Sequence, residues 1–250
     1  MYGYYLSQAY DKYWSRFSKR IAPVIYTFYK NEPVSKRNKN LLDLCCGTGQ
    51  LACYFSKRRF NVFCLDRSMH MLNCTQKNLK KIINRGSVNF INADMVSLAT
   101  SSCFGLVVCT CDSINYIANK KSLHHCFQRV YSSLISGGVF IFDMQTPYGI
   151  NKKAKEIEII DNDEMYIVNK QEFNGDNVGR IIITGFVRDA NGLLHRFDEK
   201  FINKAFELKS VFSCLQNVGF QKVLITDESL QNQSVNLETL EWAYIVAKKI

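Results

Sequence analysis

The apolar positions of this chain fall into short continuous blocks in its first 150 residues and into alternating blocks after that. Leu41–Leu44, Val62–Leu65, Val88–Ile91, Phe104–Cys111 and Val139–Phe142 are short, nearly unbroken apolar runs. Runs of that length read as strands, and Phe104–Cys111 as one of the kind buried in a parallel sheet. The segments between several of them carry apolar residues at helical spacing, for instance after Gly49, from Met69, and over Ser122–Leu134. Strand and helix in alternation predict an α/β fold. Ser136-Gly137-Gly138 reads as the turn into the fifth strand. Beyond residue 150 the period changes to two: Glu164–Phe173, Arg180–Arg188 and Leu193–Phe206 alternate, separated by Asn174-Gly175-Asp176 and Asn191-Gly192. Asn-Gly between alternating runs signals hairpins, so an antiparallel meander is expected over 150–206. Leu208–Phe220 then reads as a helix, and Gln221–Thr226 and Glu241–Lys248 as two strands. Ahead of the first strand, Tyr4 to Tyr29 predicts one Tyr-rich helix, followed by a basic polar linker, Asn31–Asn40.

The first strand runs into Cys45-Cys46-Gly47-Thr48-Gly49, and the second closes on Asp66. Glycines there let backbone N–H groups approach a ligand, because no Cβ stands in the way. A carboxylate at the end of the next strand is placed to accept hydrogen bonds from a ribose diol. The dinucleotide fingerprint G-x-G-x-x-G fails, since its first glycine position is Cys45. Asp43-Leu-Cys-Cys-Gly-Thr-Gly instead resembles the Asp-x-Gly-Cys-Gly-Thr-Gly loop of class I S-adenosylmethionine-dependent methyltransferases. Cys45 departs from that pattern; it makes the loop bulkier but removes no donor.

Further motifs carry the same resemblance along the chain. Asp66-Arg67-Ser68-Met69-His70-Met71-Leu72 resembles the family's Asp-x-Ser-x-x-Met-Leu segment, with Ser68 a helix N-cap. Arg67 falls where the family packs a side chain on the adenine ring, and would have to stack by its guanidinium plane or swing away. Asp94 and the Met95 backbone suit the adenine amino group. The fourth strand leads through Cys111 into Asp112-Ser113-Ile114-Asn115-Tyr116, where the transferable methyl is expected to point. Methyltransferases of nucleobase amines carry two prolines here, and this chain has none between Pro33 and Pro147. Leu134-x-x-Gly137-Gly138, an apolar strand and Asp143 again resemble the family. Tyr10, in Tyr10-Asp11-Lys12-Tyr13-Trp14, matches a tyrosine that covers the cofactor in many small-molecule members.

The resemblance implies a Rossmann-like seven-stranded, mostly parallel sheet with an antiparallel last strand, helices on both faces, and an inserted antiparallel β subdomain. Residues 1–149 and 207–250 would form the core with its helical cap, and 150–206 the substrate-binding insertion. The implied cofactor is S-adenosyl-L-methionine, held by Tyr10, Asp43, Cys45, Gly47, Thr48, Gly49, Asp66, Arg67, Met71, Asp94, Met95 and Cys111. Asp112, Asn115, Tyr116, Tyr148 and Arg196 are expected at the acceptor. Tyr10, Tyr116 and His195 are the candidates for taking a proton from it.

Composition adds a few limits. With 47% hydrophobic residues and three prolines, a packed globular protein is expected. No apolar run reaches the ~18 residues of a membrane span, and Met1-Tyr-Gly-Tyr-Tyr lacks the form of a secretory signal. The ten cysteines include no C-x-x-C pair and fall largely inside predicted elements, so reduced thiols in a cytoplasmic protein, without a metal, are expected. His124 and His125 are adjacent and cannot form an i,i+4 ligand pair. The formal charge of +10 is spread along the chain, which favours a solvated basic surface over a nucleic-acid groove. The expected partner is a small-molecule acceptor, with no membrane, and the expected state a monomer or homodimer. Methylation of a peptide or RNA, and a catalytically silent cofactor-binding or interaction protein, are the alternatives to it.

Overall fold

In the computed structural model, which describes all residues except 1, 83–85, 100, 155, 176 and 232–234, the five continuous apolar runs and the last two strand segments become one seven-stranded sheet. Met1 and Asp176 therefore lie outside the described residues. The strands are β1 (Asn40–Leu44), β2 (Asn61–Asp66), β3 (Val88–Asn92), β4 (Phe104–Cys109), β5 (Leu134–Gln145), β10 (Gln221–Thr226) and β11 (Trp242–Lys248), in the order β10-β11-β5-β4-β1-β2-β3. β11 runs antiparallel to both of its neighbours, and the other pairings are parallel. Helices cover both faces, and alternation along each strand sorts the side chains between them. Leu42, Leu44, Val107, Phe140 and Phe142 pack on α5 (Lys120–Ser133) and α7 (Leu208–Val218). Leu41, Leu106, Val108 and Ile141 pack on α2 (Arg16–Asn31) and α3 (Gln50–Ser56). All six residues of β4 are buried, which is why that run carries no alternation in the sequence.

The N-terminal segment is two helices rather than one: α1 (Tyr4–Lys12) and α2, broken at Tyr13-Trp14-Ser15. The two serve different partners. Leu6 and Ala9 of α1 join the core of a second sheet, whereas Ile21, Ile25 and Tyr29 of α2 lie in the main one. The break is a widened turn in which Ser15 N donates to Tyr10 O at 3.1 Å. Residues 136–138, read as a turn, are instead a bulge within β5. Phe104 pairs with Leu134 and Leu106 with Val139, so β5 carries extra residues that its partner lacks. Gly137, at φ 78°, permits the bulge. The linker before β1 contains a 3-10 turn, Pro33–Lys36.

The second sheet is antiparallel, with order β6-β7-β8-β9: β6 (Ile157–Asn162), β7 (Met165–Phe173), β8 (Val178–Arg188) and β9 (Leu194–Lys204). Alternation in the sequence marks three of these strands; β6, where Ile157 and Ile159 face outward and Glu158 shares the inward parity of Ile160, was not expected, nor was the helix α6 (Pro147–Lys153) that leads to it. Met165, Ile167, Ile183, Phe197 and Phe201 form its inner face. Asn115, fully buried, fastens this sheet to the first: its Nδ2 donates to Gln145 O (3.0 Å) and Lys204 O (2.7 Å), and its Oδ1 accepts from Gln145 N (2.9 Å).

Candidate active site

The carboxyl ends of β1, β2, β4 and β5 open on one side of the sheet, and the loops that leave them are conformationally demanding. After β1, Cys45 (φ 64°), Gly47 (φ 55°) and Gly49 (φ 81°) are all left-handed. Gly49 is required for space as well, since a Cβ there would lie 2.3 Å from Thr75 Cγ2. Thr75 sits on α4 (Met69–Lys80) and cannot turn aside, because its hydroxyl donates to Gly47 O at 2.9 Å. The end of β2 holds this loop. Asp66 Oδ2 accepts from Gly47 N (3.0 Å), and Oδ1 accepts from Ser68 N (2.8 Å). Ser68 then caps α4 by accepting from Met71 N. A carboxylate has about four lone-pair sites, so two backbone bonds leave Asp66 with acceptor capacity toward the cavity. Burial pushes its pKa up, and the N–H groups of Ser68 and Gly47 oppose the rise. Asp43, also buried, is pushed up to about 7 by burial and by the Asp66 charge; its Oδ2 has no hydrogen-bond partner.

On the β3 side, Asp94 Oδ1 accepts from Val96 N at 2.9 Å, capping the turn that carries Met95. The Arg67 guanidinium reaches toward Asp94 Oδ2, at 3.9 Å, with both side chains nearly half exposed. The N-terminal helix lies across this opening. Asp11 Oδ1 accepts from Gln50 Nε2 (2.9 Å) and Asn78 Nδ2 (2.7 Å), which ties α1 to the start of α3 and to α4. Ser68 Oγ donates to Tyr2 O, and the Tyr2 ring stacks on Phe201 at 4.7 Å. The Tyr2 and Tyr116 hydroxyls meet at 3.4 Å. Burial pushes the phenols of Tyr2, Tyr10 and Tyr116 well up.

After β4, Cys111 (φ 60°) and Asp112 (φ 48°) are consecutive left-handed residues with side chains. Each such residue costs of order 1–3 kcal/mol, and here Asp143 at the end of β5 compensates. Its Oδ2 accepts from Cys111 N (3.0 Å) and its Oδ1 from Asp112 N (2.6 Å). Burial pushes Asp143 up to about 8, against the pull of those backbone donors. The Asp112 carboxyl turns the other way and its Oδ2 accepts from Gln145 Nε2 at 2.7 Å. Burial pushes Asp112 up to about 7, opposed by the Lys153 charge and by the Gln145 bond.

One cavity of about 940 Å³ opens among these groups, at the upper end of the ~300–1,000 Å³ usual for small-molecule sites. It runs from Gly47, Asp66 and Asp94, past Tyr10 and Cys111, to Trp14, Gln171 and Trp242. Of the residues expected from sequence, Tyr10, Cys45, Gly47, Thr48, Asp66, Arg67, Met71, Asp94, Met95, Cys111, Asp112 and Tyr116 all meet there. Asp43 and Gly49 stand behind the loop as its supports. Four others lie elsewhere. Asn115 is buried between the sheets, and Tyr148 is 45% exposed on α6. His195 stacks on Tyr5, with Nδ1 against the Tyr5 hydroxyl (2.9 Å) and Nε2 against Asp189 Oδ2 (2.8 Å). Arg196 pairs with Asp198 on the outer face of the second sheet at 2.9 Å, because Phe197 and Phe201 take the inward positions of β9.

Several lining residues escaped the sequence reading, among them Tyr2, Gln145, Lys153, Glu158, Asn169 and Gln171. For two of these a signal existed: Asn169 and Gln171 continue the inward parity of Met165 and Ile167, so polar residues occupy positions the apolar face would otherwise fill. Trp14 and Trp242 gave none. Among the described residues, no group of three or more His, Cys, Asp or Glu side chains could hold a metal ion, and the cysteines are free thiols.

Comparison with known proteins places this architecture. Residues 41–138 match a family described as a methyltransferase domain. A putative methyltransferase of Geobacillus sp. (strain WCH70) is 30% identical over 213 residues, covering 84% of this chain and 85% of the relative. The crystal structure of an S-adenosylmethionine-dependent methyltransferase from Clostridium acetobutylicum superposes with a TM-score of 0.78 at 25% identity, covering 97% of this chain and 96% of that one. The sugar N-methyltransferase KedS8 from Streptoalloteichus shares the fold with a TM-score of 0.73 at 18% identity, over 96% of this chain and 92% of its own.

Proposed function

The chain belongs to the class I S-adenosylmethionine-dependent methyltransferases, and on that premise we propose that it methylates a nitrogen or oxygen nucleophile of a small molecule. One observation carries the reading. The β1 loop and the Asp66 carboxylate open into the same cavity that continues, past Tyr10 and Cys111, under the second sheet. The residues fit the cofactor. Asp66 has spare acceptor capacity for the ribose hydroxyls, and Asp43 holds an unpartnered buried oxygen behind the loop.

S-adenosylmethionine supplies a methyl group on a positively charged sulfur, already a strong electrophile. The chain's own contribution is then to hold, orient and dry the site. In this reading Asp66 holds the ribose, Asp94 and the Met95 backbone meet the adenine amino group, and Met71 packs beside them. Arg67 has swung toward Asp94, an exposed pair worth little by itself. Tyr10 and Tyr2 close the cavity against water. Burial holds the Tyr10 and Tyr116 phenols protonated at neutral pH, so both orient by donating hydrogen bonds and neither serves as a base. Residues 150–206 supply the acceptor walls through Glu158, Asn169, Gln171, Ile181 and Ile183. A cavity roofed by α1 and by a sheet suits a small acceptor better than a polymer, and a sugar N-methyltransferase has the same fold. Among the described residues no helix is long and apolar enough to cross a membrane; free thiols fit work in the cytoplasm.

The test is calorimetric titration with S-adenosylhomocysteine, followed by incubation with methyl-tritiated S-adenosylmethionine and separate pools of small molecules, peptides and RNA. Micromolar binding with label in the small-molecule pool is expected. Label confined to peptide or RNA overturns the acceptor class, and absence of binding overturns methyl transfer.

A further inference from the structure

The acceptor end of the cavity is acidic in a chain that carries a formal +10. Asp112, Glu156 and Glu158 line it, with Lys153 the cation among them, so the local sign opposes that of the whole molecule. Clefts with low-dielectric walls concentrate the field of the charges lining them. These carboxylates are also held. Glu158 Oε2 accepts from Asn169 Nδ2 at 2.9 Å and from Trp14 Nε1 at 3.4 Å, which leaves the Trp14 ring along the wall. Asp112 is fixed by its left-handed backbone, by the Asp143 anchor and by Gln145. Aromatic faces that accept a cation complete the walls. One of them already takes an ammonium group, since Lys153 Nζ lies 4.7 Å from the centroid of Trp242.

We propose that the methyl acceptor is a small molecule carrying a protonated amine, and that Asp112 is the catalytic residue that takes its proton. This rests on the methyl-transfer reading above and names the substrate class of that site. The amine enters as a cation and gives one proton to the Asp112 carboxylate. Its freed lone pair forms the new nitrogen–carbon bond with the sulfonium methyl as the carbon–sulfur bond breaks, and that electron pair stays on sulfur. The positive charge thereby passes from sulfur to the methylated nitrogen. Asp112 releases its proton to solvent when the site opens. A base with a pKa near the working pH is effective in this role, and burial pushes Asp112 up to about 7. The Asp112 charge raises the groups that face it, Asp143 from β5, Tyr2 and Tyr10 from the N-terminal segment, and Cys111 and Tyr116 from its own loop, and the Lys153 charge from α6 lowers Asp112 itself.

The experiment uses the full chain and a library of primary and secondary amines, each paired with its hydroxyl analogue. Every pair is titrated with and without S-adenosylhomocysteine and then assayed for methyl transfer. Asp112→Asn is the diagnostic variant, because asparagine tolerates a left-handed backbone and can still bond Gln145. Amines binding at least about tenfold more tightly than their hydroxyl partners are expected, as for a charge-assisted bond. In Asp112→Asn that preference should fall by a similar factor while S-adenosylhomocysteine still binds. The rate limb near pH 7 should vanish with it. Three results overturn the proposal: hydroxyl analogues that bind and react as well as amines, no amine binding while S-adenosylhomocysteine binds, or an unchanged amine preference and pH limb in the variant. Failure of S-adenosylhomocysteine to bind would instead remove the methyl-transfer reading, and the amine-to-hydroxyl contrast without it would still be read.

Discussion

Replacing Asp66 by asparagine separates cofactor binding from folding. Both carboxylate oxygens are occupied by backbone donors, Gly47 N at 3.0 Å and Ser68 N at 2.8 Å. Whichever oxygen becomes the amide NH₂ then faces an N–H, so one loop bond is lost and one acceptor disappears from the cavity. A hydrogen bond to a charged group is worth ~1.5–3 kcal/mol, and the change from carboxylate to amide weakens any second bond to the ribose. A total near ~3 kcal/mol corresponds to about a hundredfold in Kd. The effect on the empty protein is smaller, because two consequences oppose each other. The lost backbone bond destabilises, whereas removing a buried charge whose pKa is raised by desolvation stabilises. Calorimetry with S-adenosylhomocysteine should therefore show Kd about a hundredfold weaker. Thermal unfolding gives the independent check. At a ligand concentration of 100 Kd the wild type gains ~2.7 kcal/mol, and the variant at the same concentration only ~0.4 kcal/mol. At ~2–4 °C per kcal/mol for a chain of this size, that is a shift of roughly 5–10 °C against about 1 °C. A variant that binds within about threefold of wild type, with an unchanged Tm when empty, would refute the assignment of Asp66 to the ribose.

Gly49→Ala should lower stability by ~1–3 kcal/mol, since the new Cβ meets the pinned Thr75 side chain from a left-handed backbone; urea unfolding checks it. Asn115→Ala removes the buried fastening between the two sheets and leaves backbone groups of Gln145 and Lys204 without their partner. A loss of about 3 kcal/mol is expected, and an unfolding curve shifted by less than a third of that would argue against the joint. Asp43, Asp112 and Asp143 have pKa values pushed up to about 7, 7 and 8. Over that window the folded state binds more protons than the unfolded one, so stability should fall as pH rises from about 4 to 8. Urea midpoints measured at intervals across the range test the sign; a midpoint that rises with pH would contradict it.

The sequence determined what lies within one strand–loop–helix unit. Continuous apolar runs marked the strands, covered on both faces along β4 at the centre of the sheet though half exposed along β3 at its edge, and Gly47, Gly49, Asp66 and Ser68 announced the nucleotide end because their roles are backbone roles at fixed local spacing. Alternation gave three strands of the second sheet for the same reason. What escaped was whatever depended on a distant partner. Tyr4 to Tyr29 reads as one helix, yet it breaks at Trp14 because α1 packs on the second sheet and α2 on the first. His195 and Arg196 lie on the strand that was expected to contribute, but Tyr5, Asp189 and Asp198 engage them away from the cavity. Gln171, Trp242 and Trp14 meet around one volume although they are remote along the chain. A side chain's spacing states which face of its own element it occupies. What stands opposite that face is decided by how the elements pack, and only the folded chain fixes that.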